Sequence, residues 1–222
     1  NRLYGIMTNS TLVAVPLFIF MGVILEKSKV AELLLNSMSK LFSKYKSGLG
    51  ISILFVGTLL AASTGIVGAT VIAMGLISLP AMLQRGYSEK ISTGLIAATG
   101  TLGQIIPPSI ALVILGDVLA TAYQQSQLKI GNYVAKSLSV GDLFMAAIVP
   151  GFILVIIYGL YIIFTLRKEN IISISDSKDE SFVKLISTLA PPFFLIFSVL
   201  GSIIFGVASP TEAAGIGALG AT

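Results

Sequence analysis

Residues 94–120 read GLIAATGTLGQIIPPSIALVILGDVLA. The stretch is about long enough to cross a bilayer, which takes roughly 20 predominantly apolar residues in a helix. Its middle, however, contains Thr99, Gly100, Thr101, Gly103, Gln104, Pro107 and Pro108. Each proline lacks a backbone donor, and Pro108 drives Pro107 out of the α region, so carbonyls around Leu102 to Ile105 lose their helical partners. In hydrocarbon such backbone persists only where protein buries it or where it lines a hydrated cavity. Two readings stand at this point. One is a proline kink within a single span; the other is a pair of half-helices meeting at a polar break, the arrangement on which secondary transporters build ion and substrate sites.

Composition decides the class. Hydrophobic residues make up 55% of the chain and charged residues 11%, which leaves an integral membrane protein, all-α, rather than a soluble domain. The absence of Cys and His removes disulfides, thiolate or imidazole metal sites and the usual nucleophile chemistry. A membrane hydrolase would leave Ser63 or Ser109 without an evident base, so no enzyme is expected. The net charge of +4 does not point to nucleic acid, because the basic residues lie in short segments between apolar runs and report orientation instead. The sequence opens without Met and stops at Thr222 within a fresh apolar run, the pattern of a piece of a longer protein.

The second informative stretch is 48–83, GLGISILFVGTLLAASTGIVGATVIAMGLISLPAML. Two spans and a turn need more than about 40 residues and one span only about 20. Its centre, Ala62-Ser63-Thr64-Gly65, is small and polar, and the flanking arms read as too short to cross comfortably. A re-entrant helical hairpin with its tip at Ser63, Thr64 and Gly65 fits this. A long tilted span packed through Gly57, Ala61, Gly65, Gly68 and Ala69 is the alternative. Loop charges favour the hairpin. With it, every basic residue except Arg2, Lys129 and Lys136 falls on one side, whereas a single span divides them almost evenly. That basic side is the cytoplasmic one.

The remaining segments follow in order. Residues 1–27 form a transmembrane helix with Pro16 near its start. Residues 28–47 carry Val30, Leu33, Leu34, Met38, Leu41 and Phe42 at helical spacing among charges, an amphipathic helix at the interface. After the hairpin come a loop and the broken transmembrane helix, 84–121, with Asp117 at a solvated helix end and a polar outer segment beyond it. Residues 142–166 span again, 167–184 form a cytoplasmic linker, and 185–222 hold a further transmembrane helix followed by Ser209-Pro210-Thr211-Glu212. That tetrapeptide has the residues of a capping box, which makes Glu212 structural.

Taken together, the stretches at 16–34, 59–87, 93–117, 142–151 and 209–219 resemble the large membrane subunit of the tripartite ATP-independent periplasmic (TRAP) transporters. The resemblance implies an elevator-type secondary transporter built from two inverted repeats, each with a re-entrant hairpin and a broken helix; this sequence holds the first repeat and the start of the second. It implies sodium-coupled uptake of an organic acid such as a dicarboxylate, delivered by a periplasmic binding protein, with a small membrane subunit as second partner. The location implied is multi-pass in the inner (cytoplasmic) membrane of a bacterium or archaeon, among lipid. By motif, sodium is expected at Ser63, Thr64, Gly65, Thr99, Gly100 and Thr101, with Pro107, Pro108 and Ser109 shaping the break. Neutral hydroxyls and unwound carbonyls are the ligands sodium takes, and helix N-termini beside them favour a carboxylate. An unrelated sodium- or proton-coupled symporter, or a structural subunit whose small residues only pack helices, are the competing readings.

The topology is open to test because the chain lacks cysteine. Single cysteines introduced near Arg85 and Lys178 should react with reagent at the cytoplasmic face, and one near Lys129 with reagent outside. Labelling of the Arg85 and Lys178 positions from opposite faces would rule out the hairpin.

Overall fold

The computed structural model describes residues 4, 8–28, 30–42, 45–131, 137–167, 171 and 182–222, the side chains of 10, 182–186 and 188 excepted. Among these residues the structure is helical, with no strand. In chain order the helices are α1 (Ser10–Lys27), α2 (Val30–Leu41), α3 (Gly48–Thr64), α4 (Val67–Gln84), α5 (Glu89–Thr101), a 3-10 turn (Leu102–Gln104), α6 (Ile110–Lys129), α7 (Val140–Leu166), α8 (Phe182–Ile204) and α9 (Pro210–Gly220). The charges at Arg2, Lys29, Lys44, Lys136, Lys168 and Lys178, and most of the linker 167–184, lie outside the described residues.

The centre of the fold is α3. Its sequence is apolar or small on every face, and a helix of that kind must be buried all round. Fourteen of its 17 residues are buried. It packs against α1, α2, α4, α5, the 3-10 turn, α7 and α8. At its end Gly65 adopts φ 60°, ψ 11°, and its N–H closes on the Ala61 carbonyl at 2.9 Å. Glycine takes this left-handed conformation without a side-chain clash. The chain reverses there, Ile66 is extended, and α4 runs back against α3. The stretch is thus a helical hairpin turning where the sequence placed its tip. In one respect it departs from the sequence reading: α4 is longer than a short arm. It and α7 are the two described helices that are, by length and composition, long and apolar enough to cross a membrane.

Around the hairpin's open end the amphipathic α2 buries Ala31, Leu34, Leu35, Met38 and Ser39 and leaves Glu32, Asn36 and Lys40 exposed. Its buried face meets α3 and α8. Polar contacts fasten it and the segment that follows it. Arg85 Nη2 donates to Ser39 Oγ at 2.8 Å. Tyr87, 3% exposed, donates to the Lys46 carbonyl at 2.8 Å and accepts from the Gly50 N–H at 3.3 Å. A second apolar cluster joins α1, α8 and α9 with Val113 of α6 and Phe144 of α7. Pro16 sits inside α1 rather than near its start.

Glycines set the helix separations around α3. A Cβ at Gly57 would come within 2.9 Å of the Thr99 side chain, one at Gly22 within 2.5 Å of Thr64 Cα, and one at Gly103 would strike the Ala61 carbonyl. Gly75, on the outer part of α4, has nothing within 4 Å. The two kinds of glycine should therefore answer substitution with opposite signs. Gly103→Ala should destabilise by about 1–3 kcal/mol through overpacking against backbone. Gly75→Ala should stabilise by roughly 0.5–1 kcal/mol through helix propensity alone. Thermal unfolding of the purified full-length protein in detergent checks both, and equal shifts would show that the close contact at Gly103 is not real.

Candidate functional site

The break is present and its origin is local. The α-helical pattern of α5 ends at Thr101, tightens to the 3-10 turn, and gives way to irregular backbone over 105–109. Ile105 and Ile106 both donate to the Leu102 carbonyl, at 3.0 and 2.8 Å. The Gly103 and Gln104 carbonyls face donors four residues on that do not exist, because Pro107 and Pro108 carry no N–H. Ser109 Oγ donates to the Gln104 carbonyl at 2.9 Å and, as N-cap of α6, accepts from the Leu112 N–H at 3.3 Å. Pro107, Pro108 and Ser109 are all buried. The half-helix reading, not a kink in one continuous helix, describes this stretch.

The hairpin tip sits against that break. Ser63 and Thr64 are 2% and 3% exposed. The Thr64 and Thr70 hydroxyls lie 2.7 Å apart and tie the two arms together just below the turn. Ser63 Oγ donates to the Leu60 carbonyl at 2.8 Å. A Cβ at Gly65 would lie 3.3 Å from Ile110 Cγ1 and 3.5 Å from the Ile110 nitrogen, so the start of α6 is beside the tip. Gln104 Nε2 donates to the Gly65 carbonyl at 2.6 Å.

The expected sodium ligands divide into two groups in space. Ser63, Thr64 and Gly65 are together at the tip. Thr99 is fully buried, but it packs beside Gly57, about 10 Å down α3 from the tip at 1.5 Å per residue, and its hydroxyl donates to the Ile96 carbonyl at 3.0 Å. Gly100 faces Val71 of α4, and Thr101 is exposed with its hydroxyl on the Ala98 carbonyl at 2.7 Å. The residues that actually touch the tip from the broken helix are Gly103, Gln104 and Ile110. Gly103 and Gln104 stand four residues before Pro107 and Pro108, and the two carbonyls that the prolines leave without helical donors are the signal for them.

Electrostatically the junction is made of helix ends. The carbonyl ends of α3 and α5 and the amide ends of α4 and α6 approach one another there, favouring a cation on the first pair and an anion on the second. Among the described residues no three His, Cys, Asp or Glu side chains gather into a metal cluster. Neutral oxygen donors of this kind suit a hard cation rather than a soft one.

At the opposite end of α6 the structure differs from the sequence reading. The helix runs on to Lys129, so Asp117 lies within it, half-buried, and Asn9 Nδ2 donates to both its oxygens at 3.0 Å. Asn9 also caps α1, its Oδ1 accepting from the Thr11 N–H at 3.0 Å. Asp117 borders a half-open cavity of about 340 Å³ whose wall includes Thr11, Ser139, Val140, Ile203 and Pro210, and none of the tip residues. Two capping boxes start the neighbouring helices: Ser139 with Asp142 on α7, and Ser209 with Glu212 on α9. The first carries its signal in the sequence as Ser-x-x-Asp, Ser139 to Asp142.

A helical hairpin seated on a broken helix, in a chain this apolar, is the architecture of an integral membrane protein. The family described as "Tripartite ATP-independent periplasmic transporter, DctM component" matches residues 1–222, and the chain belongs to it. It is 33% identical over 208 residues to the C4-dicarboxylate TRAP transporter large permease protein DctM of Rhodobacter capsulatus, covering 94% of this chain and 47% of the relative. It is 32% identical over 206 residues to the ectoine TRAP transporter large permease protein TeaC of Halomonas elongata, covering 92% and 44%. With the sialic acid TRAP transporter large permease protein SiaM of Vibrio cholerae the identity is 27% over 224 residues, covering 99% and 47%. The chain spans a little under half the length of these relatives.

Glu212 offers a direct test of the capping reading. Its Oε2 accepts from the Ser209 N–H and hydroxyl, each at 2.8 Å, and these bonds hold the carboxyl below the usual carboxylate range. A lowered pKa means that its stabilising contribution is complete above the ordinary value and is lost as pH falls through the lowered one. Glu212→Gln keeps an acceptor for the Ser209 N–H, so uptake by the full-length protein should persist with near-normal substrate affinity, while the part of the acid-side stability loss due to this group disappears. Loss of uptake at normal expression would show that the charge itself is required.

Proposed function

We propose that the full-length protein is the large permease subunit of a TRAP transporter that takes up an organic acid by sodium-coupled symport across the inner membrane. The observation that carries this reading is the seating of the hairpin tip on the broken helix in a chain of this family. The relatives' names indicate C4-dicarboxylates, ectoine and sialic acid as their solutes, and the solute here belongs to the same broad class of small organic acids. Its partners are a small membrane subunit and a periplasmic solute-binding protein, and the hairpin dips into the membrane and returns, in the first of two inverted repeats that move as an elevator.

In this reading sodium lies at the carbonyl ends of α3 and α5. Ser63, Thr64 and Gly65 contribute from the tip, and Thr99, Gly100 and Thr101, which stand apart from the tip in this structure, contribute only once the last turn of α5 unwinds toward it. The residues fit such an ion: the Gly103 carbonyl has no helical donor ahead of it, the hydroxyls carry no charge, and no ionisable group stands among them. A substrate carboxylate is favoured at the amide ends of α4 and α6, which point into the same junction.

The test is initial uptake against sodium concentration in proteoliposomes of the complete transporter with binding protein saturating. Gly65→Val forces a β-branched residue into a left-handed conformation, and Gly100→Val forces one against Val71. Both should reduce uptake strongly. Thr99→Val keeps shape and removes one hydroxyl, so its main effect should be a rightward shift of the sodium curve at a similar maximal rate. Unchanged curves for all three well-folded variants would remove sodium from this position.

A further inference from the structure

Gly65 ends α3 in the left-handed conformation, so its carbonyl points out of the helix ladder and needs a donor from elsewhere. Within the hairpin none is at hand, because the chain has reversed and α4 is beginning. The donor comes from the broken helix, where Gln104 Nε2 lies 2.6 Å from the Gly65 oxygen. Gln104 is itself held in place. Its carbonyl takes the Ser109 hydroxyl at 2.9 Å, the turn before it is closed by Ile105 and Ile106 on the Leu102 carbonyl, and Gly103 is packed against the Ala61 backbone. The other polar side chains of this region do not cross between the two elements. Thr99 and Thr101 bond within α5, Ser109 within the break, and Ser63, Thr64 and Thr70 within the hairpin. Among the described residues the Gln104 amide is thus the one side-chain hydrogen bond joining hairpin tip to break.

We propose that Gln104 is a positioning residue that holds the hairpin tip on the broken helix, and that the Gly65 carbonyl keeps its place at the junction only while this amide donates to it. Separation of tip from break then requires this bond to open. For the sodium site the proposal rests on the reading above; the tie itself does not. The amide acts as a donor and not as a ligand, which makes its chemistry specific: a carboxylate in the same place would repel the Gly65 oxygen, whereas a protonated carboxyl would donate to it again.

The experiment uses a cysteine-free full-length transporter in proteoliposomes with one reporter, Ala62→Cys, at the buried tip. Gln104→Met, which keeps volume and loses the donor, should raise the rate of labelling by a small membrane-permeant thiol reagent roughly three- to tenfold, the range expected for loss of one hydrogen bond. Gln104→Glu should do the same near pH 7.5 and return toward the parent rate in acid. Both variants should also need several-fold more sodium for half-maximal uptake at the higher pH. Unchanged labelling in both variants overturns the proposal, and so does tighter sodium dependence in Gln104→Glu, which would make residue 104 an ion ligand. Uptake by the parent that ignores sodium, with labelling raised as expected, leaves the tie standing and sinks the sodium reading alone. Should Gln104→Met fail to assemble, recovery of Gln104→Glu in acid decides the matter.

Discussion

Close backbone approach to α3 is the constraint on which the rest of the structure depends. A helix buried on all faces gains apolar burial only if its neighbours come near, and near approach needs positions without side chains. Gly57 admits Thr99, Gly22 of α1 admits Thr64, and Gly103 of the break rests on Ala61. These contacts run along α3 from its middle to its tip, so the helix that carries the hairpin turn is fixed by backbone geometry rather than by charges. Of the buried hydroxyls there, those of Ser52, Ser63 and Thr99 return to their own helices, and the Thr64–Thr70 pair crosses between the hairpin arms.

This economy of polar groups shapes the junction. Ser and Thr hydroxyls in helices satisfy themselves on carbonyls three or four residues back, as Ser63, Thr99 and Thr101 do. What cannot satisfy itself is backbone at the reversal and at the prolines. The oxygen chemistry of the site therefore originates in two failures of the helical ladder, one made by Gly65 and one by Pro107-Pro108, brought into contact by α3.

Much of this was legible in the sequence because those failures are local. Two adjacent prolines end a helix wherever they occur, and a small polar Ala-Ser-Thr-Gly run between apolar arms marks a reversal. The basic-residue asymmetry chose between hairpin and span without any structural information, and Ser209 to Glu212 declared its capping box. What could not be read was register in three dimensions. Thr99, Gly100 and Thr101 are only a few residues from the prolines, yet the helix persists through them, since a proline removes the donor at its own position and so orphans carbonyls four residues back, at Gly103 and Gln104. The contact residues are accordingly later in the chain than the motif suggested. Asp117 lies within α6 rather than at a solvated helix end for a related reason: Gln124, Gln125 and Lys129 in the polar run after Ala120 are good helix formers, and α6 continues through them.

The two arms of the hairpin are unequal, and this inequality limits how the tip can rearrange. Moving α3 would strip seven packed neighbours from a helix whose Ile53, Val56 and Ala61 are fully buried, a loss of burial on nearly every face. By contrast α4 buries mainly Thr70, Met74, Ser78 and Met82, one narrow stripe, while Ile72 and Leu76 are 65% and 76% exposed and a Cβ added at Gly68 or Gly75 would meet nothing within 4 Å. Within the stripe Ser78 Oγ is buried without a hydrogen-bond partner, so that part of the arm contact is weakened by an unmet polar group rather than strengthened by one. At its open end the hairpin is fastened to α2 by Arg85, with Tyr87 bonded to the Lys46 carbonyl and the Gly50 N–H at the start of α3, and at its tip by Gln104 and the Thr64–Thr70 pair. Both ends of α4 are thus held, by Arg85 just after its last residue and by Thr70 near its first, and Gly65 between the arms is the one residue of the tip whose backbone lies where glycine is favoured.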